Sequence, residues 1–357
     1  MCLAPPARGA PQVAAGATPP ERGCILYRVP KAIVAAGETE WEGPGRAARR
    51  RGSYSSPTPI RKGPTMSTST VTHPPGAAAT AGCAVAEEDI RIELAGGEPA
   101  QARIYGERRK GAAGAPLVLH FHGGTFVCGS LDNGRNVARL LCAAGARVVS
   151  LAYPLAPEHP FPKPIEVGYA ALEWVYKQRV KLAGKGARVF LAGEEAGGNL
   201  AAAVALVARD RGHPPLAGQI LLSPMLDPCA GTASVREATC SDAPCKWATG
   251  WQNYLRRPMD TMHPYAVPGS SLRLADVAAT LVLVGPDDPM RDEALAYAKR
   301  LQAAGIPVTA AVLPNDSQWP DALYQPDDPG CPVCAATVKQ RFIDFFEAEP
   351  SGAPPPL

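Results

Sequence analysis

The stretch Val189-Phe190-Leu191-Ala192-Gly193-Glu194-Glu195-Ala196-Gly197-Gly198-Asn199 decides how the rest of the chain is read. Four apolar residues suited to a buried strand run straight into small residues and then into the Ala-rich segment Gly198–Arg209, which reads as a helix. A strand that turns sharply into a helix needs residues without bulky side chains on either side of the bend. It thrusts one central side chain, here Glu195, up at the helix N-terminus.

Outward from this turn, short apolar runs alternate with helical stretches, the pattern of βαβ units around a largely parallel sheet. Leu117–Phe121, Val148–Leu151, Gln219–Leu222 and Thr280–Val284 read as further buried strands, and Gly168–Gln178 and Asp292–Ala303 as helices. Residues 228–264, with Trp247, Trp251 and Tyr254, break this rhythm as an inserted cap would, and residues 66–90 are expected to add to that cap. The first 65 residues are rich in Ala, Gly, Pro and Arg, lack either hydrophobic period, and read as a disordered arm. Met66 opens a second plausible start, a transit peptide being the other reading of the arginine-rich leader. Residues 66–350 are expected to form the folded domain and 351–357 a tail.

At 357 residues and 46% hydrophobic content the chain can bury a sizeable core, and its net charge is only +3. Ten Lys and Arg against four Glu lie within residues 1–65, so the body is slightly acidic and suggests no nucleic-acid partner. No apolar run long enough for a membrane span and no secretory signal pattern occurs, so the expectation is a cytoplasmic protein. Ten irregularly spaced cysteines in a chain of this size fit reduced, mostly buried thiols. Cys331-Pro-Val-Cys334 has redox or half-zinc spacing, and only Cys240 and Cys245 are at hand to complete a site; the pair is read as structural, with no metal.

Two more motifs carry chemistry. His120-Phe121-His122-Gly123-Gly124-Thr125-Phe126 follows a strand, and its consecutive glycines let backbone N–H groups converge as in an oxyanion hole. Tyr153-Pro-Leu-Ala-Pro-Glu-His-Pro-Phe-Pro162 and Gly285-Pro-Asp-Asp-Pro-Met-Arg-Asp-Glu293 follow in order. With these motifs the chain resembles the hormone-sensitive-lipase-like branch of the carboxylesterases over roughly residues 85–348. The resemblance implies an α/β-hydrolase fold, a mainly parallel sheet flanked by helices with a cap, and a pocket over the C-terminal strand ends.

Carried over residue by residue, the resemblance puts Glu195 where the family has its nucleophilic serine. It places the acid on Asp288, with Asp287 as the alternative if the turn is shifted by one. The base position falls on Gln318, and the last histidine of the chain is His263, so no shift of alignment supplies a histidine after Asp288. The third glycine of the oxyanion loop is Thr125, while Gly123, Gly124 and Ala196 still offer backbone donors. Ordinary Ser–His–Asp catalysis is therefore not expected, and Ser130, Ser223 and Ser317 stand on no such turn. His122 is expected to anchor the loop through its ring and His159 to make a structural hydrogen bond.

Three functions stay open. The first is an inactive pseudo-esterase that binds a small molecule or a protein, its pocket lined by Gly123, Gly124, Glu195, Asp288 and Gln318. The second is a lyase or dehydratase with Glu195 as general base. The third is an ester hydrolase of atypical mechanism. The expected ligand is small and apolar with a carbonyl-type end; no cofactor is implied, and a homodimer is possible.

Overall fold

A computed structural model describes residues 85–107, 114–238, 246–314 and 333–348. The expected arm (1–65), the first part of the expected cap (66–84), Cys240, Cys245, Ser317, Gln318, Cys331 and the tail lie outside these residues, as does the side chain of Cys334.

Eight strands form one sheet: β1 Glu87–Ile92, β2 Ala100–Tyr105, β3 Leu117–Phe121, β4 Arg147–Leu151, β5 Val189–Glu194, β6 Gly218–Leu222, β7 Thr280–Val284 and β8 Val308–Val312. Their order is β1-β2-β4-β3-β5-β6-β7-β8. β2 runs antiparallel to β1 and to β4, and the remaining pairs are parallel. The α/β-hydrolase architecture expected from the motifs is thus the one observed. β1 starts at Glu87, inside the stretch expected to belong to the cap; alternation in EEDIRI suits an edge strand with one buried face better than a cap helix.

The helices are α1 Arg135–Ala143, α2 Lys163–Ala183, α3 Ala196–Arg211, α4 Ala233–Ala238, α5 Lys246–Tyr254, α6 Arg291–Ala303 and α7 Val333–Glu347. Side chains of α2, α3 and α6 pack on one face of the sheet, with Phe121 and Leu191 among their partners. Those of α1 and α7 pack on the other, against Val118, Phe190 and Ile220. With both faces covered, β3, β5, β6 and β7 are buried throughout, which is why they read as continuous apolar runs. α3 is buried on every side from Ala196 to Ala208, and small alanines let it lie this close to the sheet. It ends at Gly212, whose φ of 65° is the left-handed conformation that closes a helix.

Strand register then fixes the site. Phe121 lies beside Gly193, Glu194 beside Leu222, and Leu222 beside Leu283. The loops leaving β3, β5, β6 and β7 therefore emerge together at one sheet edge, the edge where parallel α/β sheets hold their ligands.

No helix among the described residues is long and apolar enough to cross a membrane. Cys142 is free and half-buried; Cys128 is free but exposed, and Cys229 is disulfide-bonded, so these two depart from the expectation of reduced, mostly buried thiols.

Candidate functional site

Glu195 sits on the bend between β5 and α3 with φ 52° and ψ −116°. A non-glycine residue held there costs about 1–3 kcal/mol, and such strain persists only where the surroundings enforce it. They do: the Glu195 amide donates to Leu222 O at 3.0 Å, and its carbonyl accepts from Met225 N at 2.9 Å. Gly193 is required because a Cβ there would stand 2.2 Å from Gly197 O. The tight turn read from the sequence is present, with a glutamate on its apex.

The Glu195 carboxylate is almost fully buried and saturated with donors. Its Oε2 accepts from Gly124 N at 2.8 Å and from Thr125 N at 3.3 Å. Its Oε1 accepts from the Trp247 indole Nε1–H at 2.9 Å, with Lys246 Nζ 3.9 Å away. Of the amides that the sequence reading left for a ligand's carbonyl, that of Gly124 is thus engaged by the protein itself. Thr125 and Phe126 take φ of 51° and 68°, so the loop keeps a glycine-like course although glycine is absent from both positions.

Gly123 does not join these donors. Its amide donates to Glu194 Oε1 at 3.0 Å, while Glu194 Oε2 accepts from His120 Nε2 at 2.7 Å. His120 Nδ1 faces Ser150 Oγ at 2.9 Å. One ring tautomer satisfies both partners, donating from Nε2 to the carboxylate and accepting the serine hydroxyl at Nδ1. This buried Ser150–His120–Glu194 chain was not foreseen in the sequence. The only signal for it is register, since His120 pairs with Ser150 on one side and Ala192 on the other.

His122 acts as expected. Its Nδ1–H donates to Gly123 O at 2.7 Å, its ring stacks on Tyr153 at 4.3 Å, and Tyr153 Oη–H donates to His122 O at 2.8 Å. Burial lowers the His122 pKa, in keeping with a neutral ring. His159 differs from expectation: it is exposed, and the bond it makes runs from its backbone amide to Leu155 O at 2.9 Å.

Asp288 is buried while Asp287 is exposed. Its Oδ2 accepts the Ser223 hydroxyl and its Oδ1 the Met290 amide at 2.9 Å. Burial pushes its pKa above the usual aspartate range, and the charge of nearby Glu195 adds to the rise. Ser223 is itself almost fully buried, which leaves it no access to a substrate.

A cavity of about 180 Å³ opens beside the turn, lined by Gly123, Gly124, Thr125, Cys128, Asn133, Glu194, Glu195 and Lys246 among others. It is smaller than the roughly 300–1,000 Å³ of pockets that enclose drug-sized ligands. Three of the residues expected to line it, Gly123, Gly124 and Glu195, do so; Asp288 does not, and Gln318 falls outside the described residues. Ala196 is buried at the first position of α3. α5 roofs the loop: Phe126 stacks on Tyr254 at 4.1 Å and lies 4.9 Å from Trp251.

A family model described as alpha/beta hydrolase fold matches residues 118–317. The chain belongs to the hormone-sensitive-lipase-like α/β hydrolases. It is 39% identical over 202 residues to Esterase LipI of Mycobacterium tuberculosis, an alignment covering 55% of this chain and 62% of that protein. It is 36% identical over 205 residues to Gibberellin receptor GID1A of Arabidopsis thaliana, covering 53% of this chain and 58% of the receptor. The chain thus spans less than two thirds of the length of either relative. Among solved structures it is similar to a thermostable esterase from Pseudomonas putida, with 28% identity and a TM-score of 0.64 over 74% of this chain and 84% of that one.

Proposed function

We propose that this α/β hydrolase is a pseudo-esterase, a binding protein for a small molecule that has given up ordinary ester hydrolysis. The observation that carries this reading is the Glu195 carboxylate lodged on the Gly124 and Thr125 amides. Serine chemistry needs a hydroxyl, an imidazole and a free oxyanion hole. Here a carboxylate replaces the hydroxyl, no histidine follows Asp288, and the hole is filled. A relative that bears the name of a receptor supports the idea that this fold can serve in binding.

Glu195 as a general base is the weaker alternative. Both of its carboxylate oxygens are already held by donors, Oε2 by two backbone amides and Oε1 by the Trp247 indole, which leaves neither free to take a proton from a substrate. The ligand is expected to be small, and uncharged or amine-bearing, because Glu194 and Glu195 both face the cavity.

The test is hydrolysis of short-chain p-nitrophenyl esters by the full chain, by Glu195→Ser and by Glu195→Ser combined with Gln318→His. The reading predicts an inert wild type and turnover in the double variant. Turnover by the wild type at enzymatic rates, abolished by Glu195→Gln, overturns it.

A further inference from the structure

The donors around Glu195 come from two separate parts of the chain. Gly124 and Thr125 belong to the loop after β3, whereas Lys246 and Trp247 open helix α5. Two amide N–H groups hold one carboxylate oxygen, an indole N–H holds the other, and an ammonium stands 3.9 Å away. Every one of these partners is a donor or a cation, and they converge on both oxygens of a single carboxylate. That is the composition of a carboxylate receptor.

We infer that the Gly124 and Thr125 amides, the Trp247 indole and Lys246 form a binding site for small carboxylates, with Glu195 as its tethered occupant and the residue that sets the charge class of the ligand. The inference builds on the reading of a hydrolytically disabled pocket and adds the chemistry the donors select. While Glu195 is in place, a free acid meets donors that are already paired and two carboxylates that repel it. Tethering gives the resident an effective concentration on the order of millimolar, so a weak free carboxylate does not displace it. With the side chain removed, the Gly124 and Thr125 amides and the Trp247 indole lose the acceptor they have in Glu195, and a small acid can restore those bonds.

Glycine is the replacement that exposes the site most cleanly. It removes the carboxylate and adopts the φ of 52° without strain, so the bend and the loop beside it are preserved.

The experiment is acetate binding, followed by saturation-transfer NMR and by tryptophan fluorescence, to wild type, Glu195→Gly and Glu195→Gly/Trp247→Phe. Sodium chloride and methylammonium serve as controls, and circular dichroism confirms that each variant is folded. Acetate is expected to bind Glu195→Gly at least about tenfold more tightly than wild type, the equivalent of roughly 1.4 kcal/mol. The added Trp247→Phe change is expected to weaken that binding, and methylammonium is expected not to replace acetate. Folded Glu195→Gly that does not bind acetate, or binds it no better than wild type does, overturns the inference. So does binding that is indifferent to Trp247→Phe. Ester turnover by wild type would remove the pseudo-esterase reading and leave the acetate result standing, so the two failures are told apart.

Discussion

The Oε2 atom of Glu195 lies 2.8 Å from the Gly124 amide nitrogen, although 71 residues separate the two in sequence. In the proposed reading this side chain stands where an esterase carries its nucleophile, and it is bonded to the backbone that would hold the oxyanion. The contact joins the loop after β3 to the turn after β5, and through Trp247 it also engages α5.

Glu195→Gln is isosteric and separates charge from shape. An amide has one acceptor oxygen and one donor nitrogen, so whichever way it turns, an N–H faces either the loop amides or the Trp247 indole. Hydrogen bonds to charged groups are worth about 1.5–3 kcal/mol, and a loss of roughly that size is expected in urea unfolding. Stability unchanged within about 0.5 kcal/mol, the range of an ordinary surface substitution, would mean that the carboxylate is not held as described.

His120→Phe is expected to be more damaging. It keeps a ring between β4 and β5 but leaves Glu194 Oε2 buried without the partner it has at 2.7 Å. Removing one partner of a buried ionic or hydrogen-bonded pair costs about 3–5 kcal/mol. Combining it with Glu194→Leu, which removes the stranded charge, is expected to recover part of the loss. Simple additivity of the two changes in denaturant unfolding would contradict a direct bond.

Asp288 offers a pH-dependent test. Its pKa is raised in the folded state, first by burial, so folding favours its protonated form. The favourable contribution is complete below the ordinary aspartate value of about 3.9 and is lost as pH rises through the raised folded value. Asp288→Asn cannot ionise, and it can still accept from Met290 N–H. The stability of the variant relative to wild type is therefore expected to grow as pH is raised from about 4 toward 7. A difference that stays flat, or moves the other way, in urea titrations across that range would refute the assignment.

Gly250 lets α5 lie directly on the loop after β3, since a Cβ there would meet Thr125 O at 2.3 Å. Gly250→Ala must push the helix or the loop aside, at a cost of about 1–3 kcal/mol for overpacking. A red shift of tryptophan emission is expected as Trp247 and Trp251 lose their contacts with Glu195 and Phe126. An unshifted spectrum with unchanged stability would show that α5 does not rest on the loop.

Much of the fold was legible in the sequence because its signals are local. A strand buried on both faces is apolar along most of its length, as in Leu117–Phe121 and Thr280–Val284, where only the hydrogen-bonded His120 and Thr280 are polar, and both runs form strands with those bounds. A sharp turn must be lined by small residues, so Gly193 and Gly197 marked the bend and Glu195 its apex. β1 was missed as a strand because half of its residues face solvent, and α2 extends well beyond Gly168–Gln178 because tertiary packing holds its ends.

The sequence by itself determined the family and which residue stands on the apex of the turn after β5, since both follow from which side chains stand at which spacing. It also determined that no histidine follows Asp288. Only the tertiary structure decided what Glu195 does, because its partners come from residues about 50 and 70 positions away, and sheet register and the seating of α5 alone bring them together. The same holds for the Glu194 bond to His120, across 74 residues, and for the Ser223 hydroxyl on Asp288, across 65. Hydrogen bonds act over about 3 Å, so which donors reach a buried carboxylate is fixed by packing in three dimensions and leaves no periodic trace along the chain.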